Sequence, residues 1–228
     1  MNSQIMELRD ITRVFQQGER SLTILKGANL TLEMGKLTAL TGPSGAGKTS
    51  LLNIAGLLEA PTTGHVMING IDMSQARHRQ RIEARRKHIG FVFQFHRLLP
   101  EFSAIENVII PQMLNGLTRS EAADRAEQLL DMVGLKQRMN HRPGLLSGGE
   151  QQRVAIIRAI ANAPSVLLAD EPTGNLDPQT AKSVFSHLQQ IVKLTNTAAL
   201  IVTHNREMAN QMDQVLELTN GTINEIAK

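Results

Sequence analysis

"LTALTGPSGAGKTSLLNIAGLL", Leu37 to Leu58, decides the fold. A stretch of strand character, "KLTALTG", runs into a loop with glycines at 42, 45 and 47, and an apolar helical pattern, "KTSLLNIAGLL", follows it. Gly42 to Thr49 matches G-x-x-x-x-G-K-[ST] in the strand-to-helix setting that this pattern needs. Such a loop turns backbone N–H groups toward a phosphate at the positive end of a helix dipole. On this reading Gly42, Pro43, Ser44, Gly45, Ala46, Gly47, Lys48, Thr49 and Ser50 cradle a nucleotide's phosphates. Lys48 neutralises the β and γ oxygens, and the Thr49 hydroxyl holds Mg²⁺. The bland alternative is a glycine-rich turn that binds nothing.

The rest of the composition suits such a fold. The chain has 228 residues, 41% of them hydrophobic, enough for one large core. Its six Phe, with no Trp or Tyr, make that core mostly aliphatic. This favours a buried parallel sheet and argues against nucleic-acid binding by base stacking. The net charge of +3 is a mild basic excess, much of it between Arg77 and Lys87. The segment Arg77 to His88 reads either as a solvated helix face or as a contact for anionic lipid or a partner. With no cysteine there is no disulfide or thiolate metal site, which permits a reducing compartment. The start, "MNSQIMELRD", lacks the pattern of a signal peptide, and no apolar run approaches the roughly 18 residues of a membrane span. Any membrane role therefore needs a partner.

Short β-rich runs open the chain, "IMELRDITRVF" and "LTILKGANLTLEM". "HVMINGIDM" reads as a hairpin around Asn69-Gly70, followed by a basic helix, "QARHRQRIEARRK", and a strand, "HIGFVFQ". From about Phe95 to Ala163 the pattern is helical. Thr118 with Glu121 makes a capping box, and Ala122, Ala123, Ala126, Leu129, Leu130 and Val133 form one apolar stripe that stops at Gly134. Strand character returns in "SVLLADE" and "TAALIVTH", separated by a helix for which Asp177 is N-cap and Pro178 the first residue. Asn220-Gly221 marks a last hairpin. The pattern is an α/β core, 1–94 and 164–228, interrupted by a helical insertion over about 95–163.

Two further stretches carry chemistry. "VLLADEP" delivers Asp170 and Glu171 side by side at the end of an apolar strand. Asp170 suits a Mg²⁺ contact through water and Glu171 a general base, since adjacent carboxylates at a buried strand end repel without a cation nearby. Two acids at an ordinary solvent-exposed loop is the bland alternative, weakened by the phosphate loop. In "LLSGGEQQR", Leu145 to Arg153, Ser147 and Glu150 form another capping box. The glycines between them offset the cap, each costing about 1 kcal/mol relative to alanine in a helix. Glycine pairs at a helix start let a ligand approach the backbone, so the chain carries a second candidate phosphate element.

Taken together, "GPSGAGKT", "VLLADEP" and "LSGGEQQR" resemble the ATP-binding subunits of ABC transporters, over essentially the whole chain. The resemblance implies a single ATPase domain over 1–228. It has a P-loop NTPase core, an antiparallel β subdomain and an inserted α-helical subdomain. It implies ATP and Mg²⁺ as ligands and a head-to-tail homodimer, in which Ser147, Gly148 and Gly149 cap the γ-phosphate held by the other copy. It implies that Gln94 senses Mg²⁺ and the γ-phosphate, that His204 bonds the γ-phosphate, that Asp177 crosses the dimer and that Phe15 stacks on adenine. Without the resemblance, Gln94 would be a polar loop residue, His204 structural, Asp177 an N-cap and Phe15 a core side chain. Asn205 departs from the family, which commonly has Asp after that histidine.

"VFQFHRLLPEFSAIENVIIP" and "ADEPTGNLD" resemble the branch serving lipoprotein release, macrolide-type export and a cell-division complex, and the "FQFHRLLPEFSAIENV" run is most similar to the lipoprotein-releasing members. His96 and the Leu-Leu-Pro after Arg97 lie just past Gln94, where the family docks its membrane partner. The implied role is ATP hydrolysis at the cytoplasmic face of an inner membrane, driving two integral membrane subunits, with lipoprotein cargo met only indirectly. A macrolide-type efflux ATPase and a scaffold for cell division are the alternatives. A chromosome-maintenance ATPase would need a long coiled coil between Gly42 and Ser147, and a small-molecule kinase leaves "LSGGEQQR" unexplained.

Overall fold

The computed structural model describes residues 3–18 and 20–226. Two long strands, β1 (Gln4–Gln17) and β2 (Arg20–Glu33), pair antiparallel. Then come β3 (Leu37–Thr41), α1 (Lys48–Ala55), the hairpin β4 (Thr63–Ile68) and β5 (Ile71–Asp72), the basic helix α2 (His78–His88) and β6 (Ile89–Val92). The helical stretch holds α3 (Ala104–Leu114), α4 (Arg119–Met132), short 3-10 turns at Lys136–Arg138 and Pro143–Leu145, and α5 (Gly148–Ile160). The chain closes with β7 (Val166–Asp170), α6 (Pro178–Thr195), β8 (Ala198–Val202), α7 (Arg206–Ala209), β9 (Gln214–Thr219) and β10 (Thr222–Glu225).

The strands form two sheets. One is antiparallel in the order β2-β1-β4-β5; the other runs β10-β9-β3-β8-β7-β6 and is parallel except for β10. The central strands are apolar on both faces, as a sheet covered on two sides requires. Their side chains divide with period two. Leu37, Ala39, Leu167, Ala169, Ala199 and Ile201 join one core with α3 to α6. Leu40, Val166, Leu168, Ala198, Leu200 and Val202 join the other with α1 and the antiparallel sheet. The inserted helices thus share a core with one face of the parallel sheet rather than building one apart from it.

Local chemistry sets the boundaries. Asn69 and Gly70 take φ of 51° and 76°, the left-handed pair of a tight hairpin. The boxes Thr118/Glu121 and Ser147/Glu150 both form, and a third, Ser103/Glu106, starts α3. Asp177 caps α6 by accepting the N–H groups of Gln179 and Thr180 at 3.2 and 3.1 Å. The basic helix has a structural use that neither sequence alternative foresaw. Arg81 and Arg85 each donate to the carbonyl of Leu57 at 2.8 Å, just past the end of α1, and Arg86 donates to that of Leu114 at 3.1 Å, the last residue of α3. Cations at helix C-termini complement the dipole, so these guanidiniums serve as caps supplied from another element. Among the described residues no helix is long and apolar enough to cross a membrane.

Candidate functional site

At Thr41 the chain must leave β3 and enter a helix almost at once. Gly42 does this at φ 137°, and a Cβ there would lie 2.3 Å from the carbonyl oxygen of Leu218. Gly47, at φ 101°, would put a Cβ 2.4 Å from Ile24 Cγ2 on the neighbouring β2. Both positions admit only glycine. The helix that follows has no side-chain cap and no acid in its first turn. Its first N–H groups and the positive end of its dipole are therefore left without a side-chain partner, an arrangement suited to an anion. Lys48 Nζ donates to the carbonyls of Gly42 and Pro43, both at 2.9 Å, which folds the ammonium back over the loop. The open cleft here has a volume of about 550 Å³.

Parallel neighbours bring the rest. β8 lies beside β3 and β7 beside β8, all parallel, so their carboxyl ends open on the same edge of the sheet. Asp170, Glu171 and His204 accordingly line the cleft with Ser44, Thr49 and Ser50. Thr49 Oγ1 donates to Asp170 Oδ2 at 3.2 Å. Burial raises the Asp170 pKa; the Thr49 hydroxyl opposes this, the adjacent Glu171 charge adds to it, and the Lys48 and Arg97 cations pull the other way. A carboxylate disfavoured by burial next to a hydroxyl is a good place for a small hard cation, which takes few protein ligands and completes its shell with water and phosphate. Groups of three or more His, Cys, Asp or Glu able to hold a metal on their own are absent among the described residues.

Glu171 continues the β7–β8 ladder by one bond, its N–H donating to Val202 O at 2.9 Å, and then turns at φ 45°. A non-glycine residue in that region is sparsely populated, and such strain tends to gather at functional sites. Its Oε2 lies 2.8 Å from Nδ1 of the largely exposed His204. Gly174 packs close behind, where a Cβ would meet Glu171 Oε2 at 3.0 Å and Gln94 Nε2 at 3.3 Å. Gln94 is thereby brought next to Glu171. Its side-chain amide donates to Asn175 Oδ1 at 3.3 Å, and Asn175 returns a bond to the Gln94 carbonyl.

Other expected residues stand elsewhere. Phe15, half-buried on β1, has the Arg13 guanidinium 4.3 Å above its ring and does not line the phosphate cleft. Ser147, Gly148, Gly149 and Asp177 do not line it either. Ser147 and Gly148 are exposed at the start of α5, whereas Gly149 is buried. The two glycines differ in their surroundings. A Cβ on Gly149 would sit 2.3 Å from Thr180 Cγ2, so close packing against α6 requires glycine there. One on Gly148 would meet only Leu176 Cδ2, at an ordinary 3.4 Å. The Asn205 departure is also explained: its side chain accepts the Met208 N–H at 3.1 Å and caps α7, as an aspartate would. Sequence reasoning missed Asn175, Arg97 and Arg158. Asn175 and Arg158 reach hydrogen-bond partners 81 and 61 residues away, and Arg97 stands out only through its backbone held by Arg158 and its guanidinium over Phe93.

The ABC transporter family model matches residues 25–174. The lipoprotein-releasing system ATP-binding protein LolD of Paramagnetospirillum magneticum is 54% identical over 226 residues, covering 99% of this chain and 100% of the relative. LolD of Nitrobacter hamburgensis is 56% identical over 222 residues, 97% of this chain and 96% of the relative. Among solved structures, a dimeric ATP-binding cassette in a post-hydrolysis state, bound to ADP and Pi, matches with TM-score 0.88 and 35% identity, over 98% of this chain and all of that one. A dimeric bacterial ABC transporter cassette matches at TM-score 0.89, again with 35% identity and the same coverage. The loop geometry, the carboxylate strand and these full-length likenesses converge: the chain belongs to the ABC transporter family.

Proposed function

We propose that the chain is the ATP-hydrolysing subunit of a lipoprotein-releasing transporter, and that it works as a homodimer whose two ATP sites are each completed by the other copy. The carrying observation is the contrast between Gly42–Thr49 and Ser147–Gly148. The first opens into a cleft with acids and a histidine, and the second is exposed on another part of the surface. A phosphate element facing outward suits a ligand held by a second molecule. The dimeric cassettes with the same fold support this arrangement.

In this reading the loop Gly42–Ser50 binds the triphosphate through backbone N–H groups and the Lys48 ammonium. Glu171 takes a proton from the attacking water, and its bond from His204 orients the carboxylate toward the cleft. His204 and Gln94 hold the γ-phosphate end. Thr49 and Asp170, with Gln94 at the edge, would hold Mg²⁺, which neutralises phosphate charge. Phe15 stacks on adenine, and Asp177 keeps its cap while its loop meets the other copy. Residues 1–94 and 164–228 act as the core and about 95–163 as a helical subdomain. Phe95, Leu99 and Phe102, just past Gln94, are 71%, 41% and 39% exposed and offer an apolar surface to two integral membrane subunits. The chain would then be peripheral at the cytoplasmic face of the inner membrane and meet lipoprotein only through those subunits. The LolD relatives support that cargo assignment.

Mixing two inactive chains tests the shared site. One carries Lys48→Ala and the other a bulky residue at Ser147. Each mixed dimer has one doubly damaged and one intact site, so ATP hydrolysis returns on mixing. Confirmed heterodimers without activity would overturn the trans arrangement. Copurification of the tagged chain with two membrane proteins, and loss of lipoprotein release on its depletion, test the transport assignment.

A further inference from the structure

The stretch after Gln94 is held by α5 in an unusual way. Arg158 lies partly buried in that helix, and burial pulls its pKa below the usual arginine value. Its two hydrogen bonds go to carbonyl oxygens, Nη1 to Arg97 at 2.7 Å and Nη2 to His96 at 3.0 Å, and among the described residues no carboxylate pairs with it. Two turns earlier on α5, Gln152 is fully buried, and its Oε1 lies 2.5 Å from His96 Nδ1. Its Nε2 is buried without a hydrogen-bond partner. An apolar residue would fill that place more cheaply if packing were the only demand. Arg97, the residue so gripped, takes φ 48° and lays its guanidinium 4.0 Å above Phe93, which stacks on Phe91 at 4.4 Å. Phe91 in turn packs against Gly56 at the end of α1, where a Cβ would be 2.8 Å from its ring. A continuous chain of contacts therefore joins the phosphate-loop helix to the helix that carries Ser147.

We infer that Gln152 and Arg158 are positioning residues that latch the His96–Arg97 turn to α5, so that the phosphate-loop helix and the Gln94 segment set the orientation in which Ser147 and Gly148 are offered to a second copy. This inference rests on the shared-site reading. The latch touches neither nucleotide nor reacting atoms. It acts on closure rather than on the chain's own phosphate loop.

The test uses the full-length chain with Arg158→Met, Arg158→Lys and Gln152→Leu. For each, KM and kcat for Mg-ATP are measured. In a Glu171→Gln background, ATP-driven dimerisation is followed by sedimentation and nucleotide binding by fluorescent ATP at low protein concentration. Arg158→Met lowers kcat and weakens dimerisation roughly tenfold, while KM and monomer nucleotide affinity stay within about twofold. Arg158→Lys, which can still donate to a carbonyl, recovers part of both losses. Unchanged kcat and dimerisation in folded Arg158→Met, or an equal loss in monomer nucleotide affinity, would overturn the latch. Should Arg158→Met fail to fold, Gln152→Leu decides: the same split supports the latch and wild-type values overturn it. Failure of the Glu171→Gln parent itself to dimerise with ATP would overturn the shared site and the latch with it, whereas equal dimerisation of parent and variants would overturn the latch alone.

Discussion

The helices α1 and α5 begin with the same physics and opposite provisions. At α1 the N-cap is Gly47 in a left-handed conformation, with no side chain on the first-turn N–H groups. At α5 the Ser147 hydroxyl accepts from the Glu150 N–H at 3.3 Å, and the Glu150 carboxylate accepts from the Ser147 N–H at 2.8 Å. The first helix leaves its positive end open and surrounds it with β3, β7 and β8. The second satisfies part of its own end and exposes the rest. On the proposed shared-site reading, a helix start that holds an anion within its own chain gives up its cap, whereas one that would meet a ligand brought by a second copy keeps enough local bonding to stay formed alone.

The largest expected effect falls on the cleft beside α1. Glu171→Gln leaves ATP binding intact and slows hydrolysis about a thousandfold, roughly 4 kcal/mol of barrier, in a steady-state phosphate-release assay. Near-normal turnover would remove Glu171 from the base role and erase the asymmetry between the two helix starts. At α5 the glycines should separate. Gly149→Ala costs about 1–3 kcal/mol by denaturant unfolding, because Thr180 is stiff at χ1 and cannot move aside. Thr180→Ser in the same chain recovers most of it. Gly148→Ala leaves stability near the parent's while lowering ATP hydrolysis, which would mark it as the position kept for a ligand. Equal destabilisation by both would make the pair a packing feature only.

Smaller effects sharpen the electrostatic side. The folded-state pKa of Asp170 is raised, so its ionised form opposes folding at neutral pH and the opposition fades as pH falls through that raised value. Asp170→Asn keeps an acceptor for Thr49 and should raise the melting temperature at pH 7 while abolishing Mg-dependent hydrolysis. A lowered melting temperature would contradict burial as the main influence. Glu150 has the opposite sign. Bonding to Ser147 lowers its pKa from 4.5, so its contribution is complete above that value and is lost as pH falls through the lowered one. Glu150→Gln then costs about 0.3–1 kcal/mol at pH 7, and the difference from the parent vanishes in acid.

Much of this was legible in the chain itself because it is local chemistry. The Gly42–Thr49 loop, the hairpin turns at Asn69-Gly70 and Asn220-Gly221, the capping boxes and the Asp177-Pro178 helix start involve residues within a few positions of each other. They appear where spacing predicts them. Asp170 and Glu171 were legible as the end of an apolar strand. What escaped were the contacts made across the fold. Arg81 and Arg85 looked like a charged surface and turned out to finish α1 from more than twenty residues away. Gly149, read as half of a ligand-binding pair, also packs against Thr180 on another helix, a contact that spacing along the chain does not reveal.

By itself the sequence determined the element order, the phosphate loop, the acidic strand end and two separate helix starts suited to anions, since each depends on backbone conformation and on neighbours along the chain. Only the tertiary structure decided which of those starts shares an edge with the acids, because that follows from the strand order β3-β8-β7, set by burial on both faces of the sheet. It also decided that the loop after Gln94 is gripped by α5. That grip joins residues 56 to 62 positions apart, a proximity that packing creates and spacing does not encode.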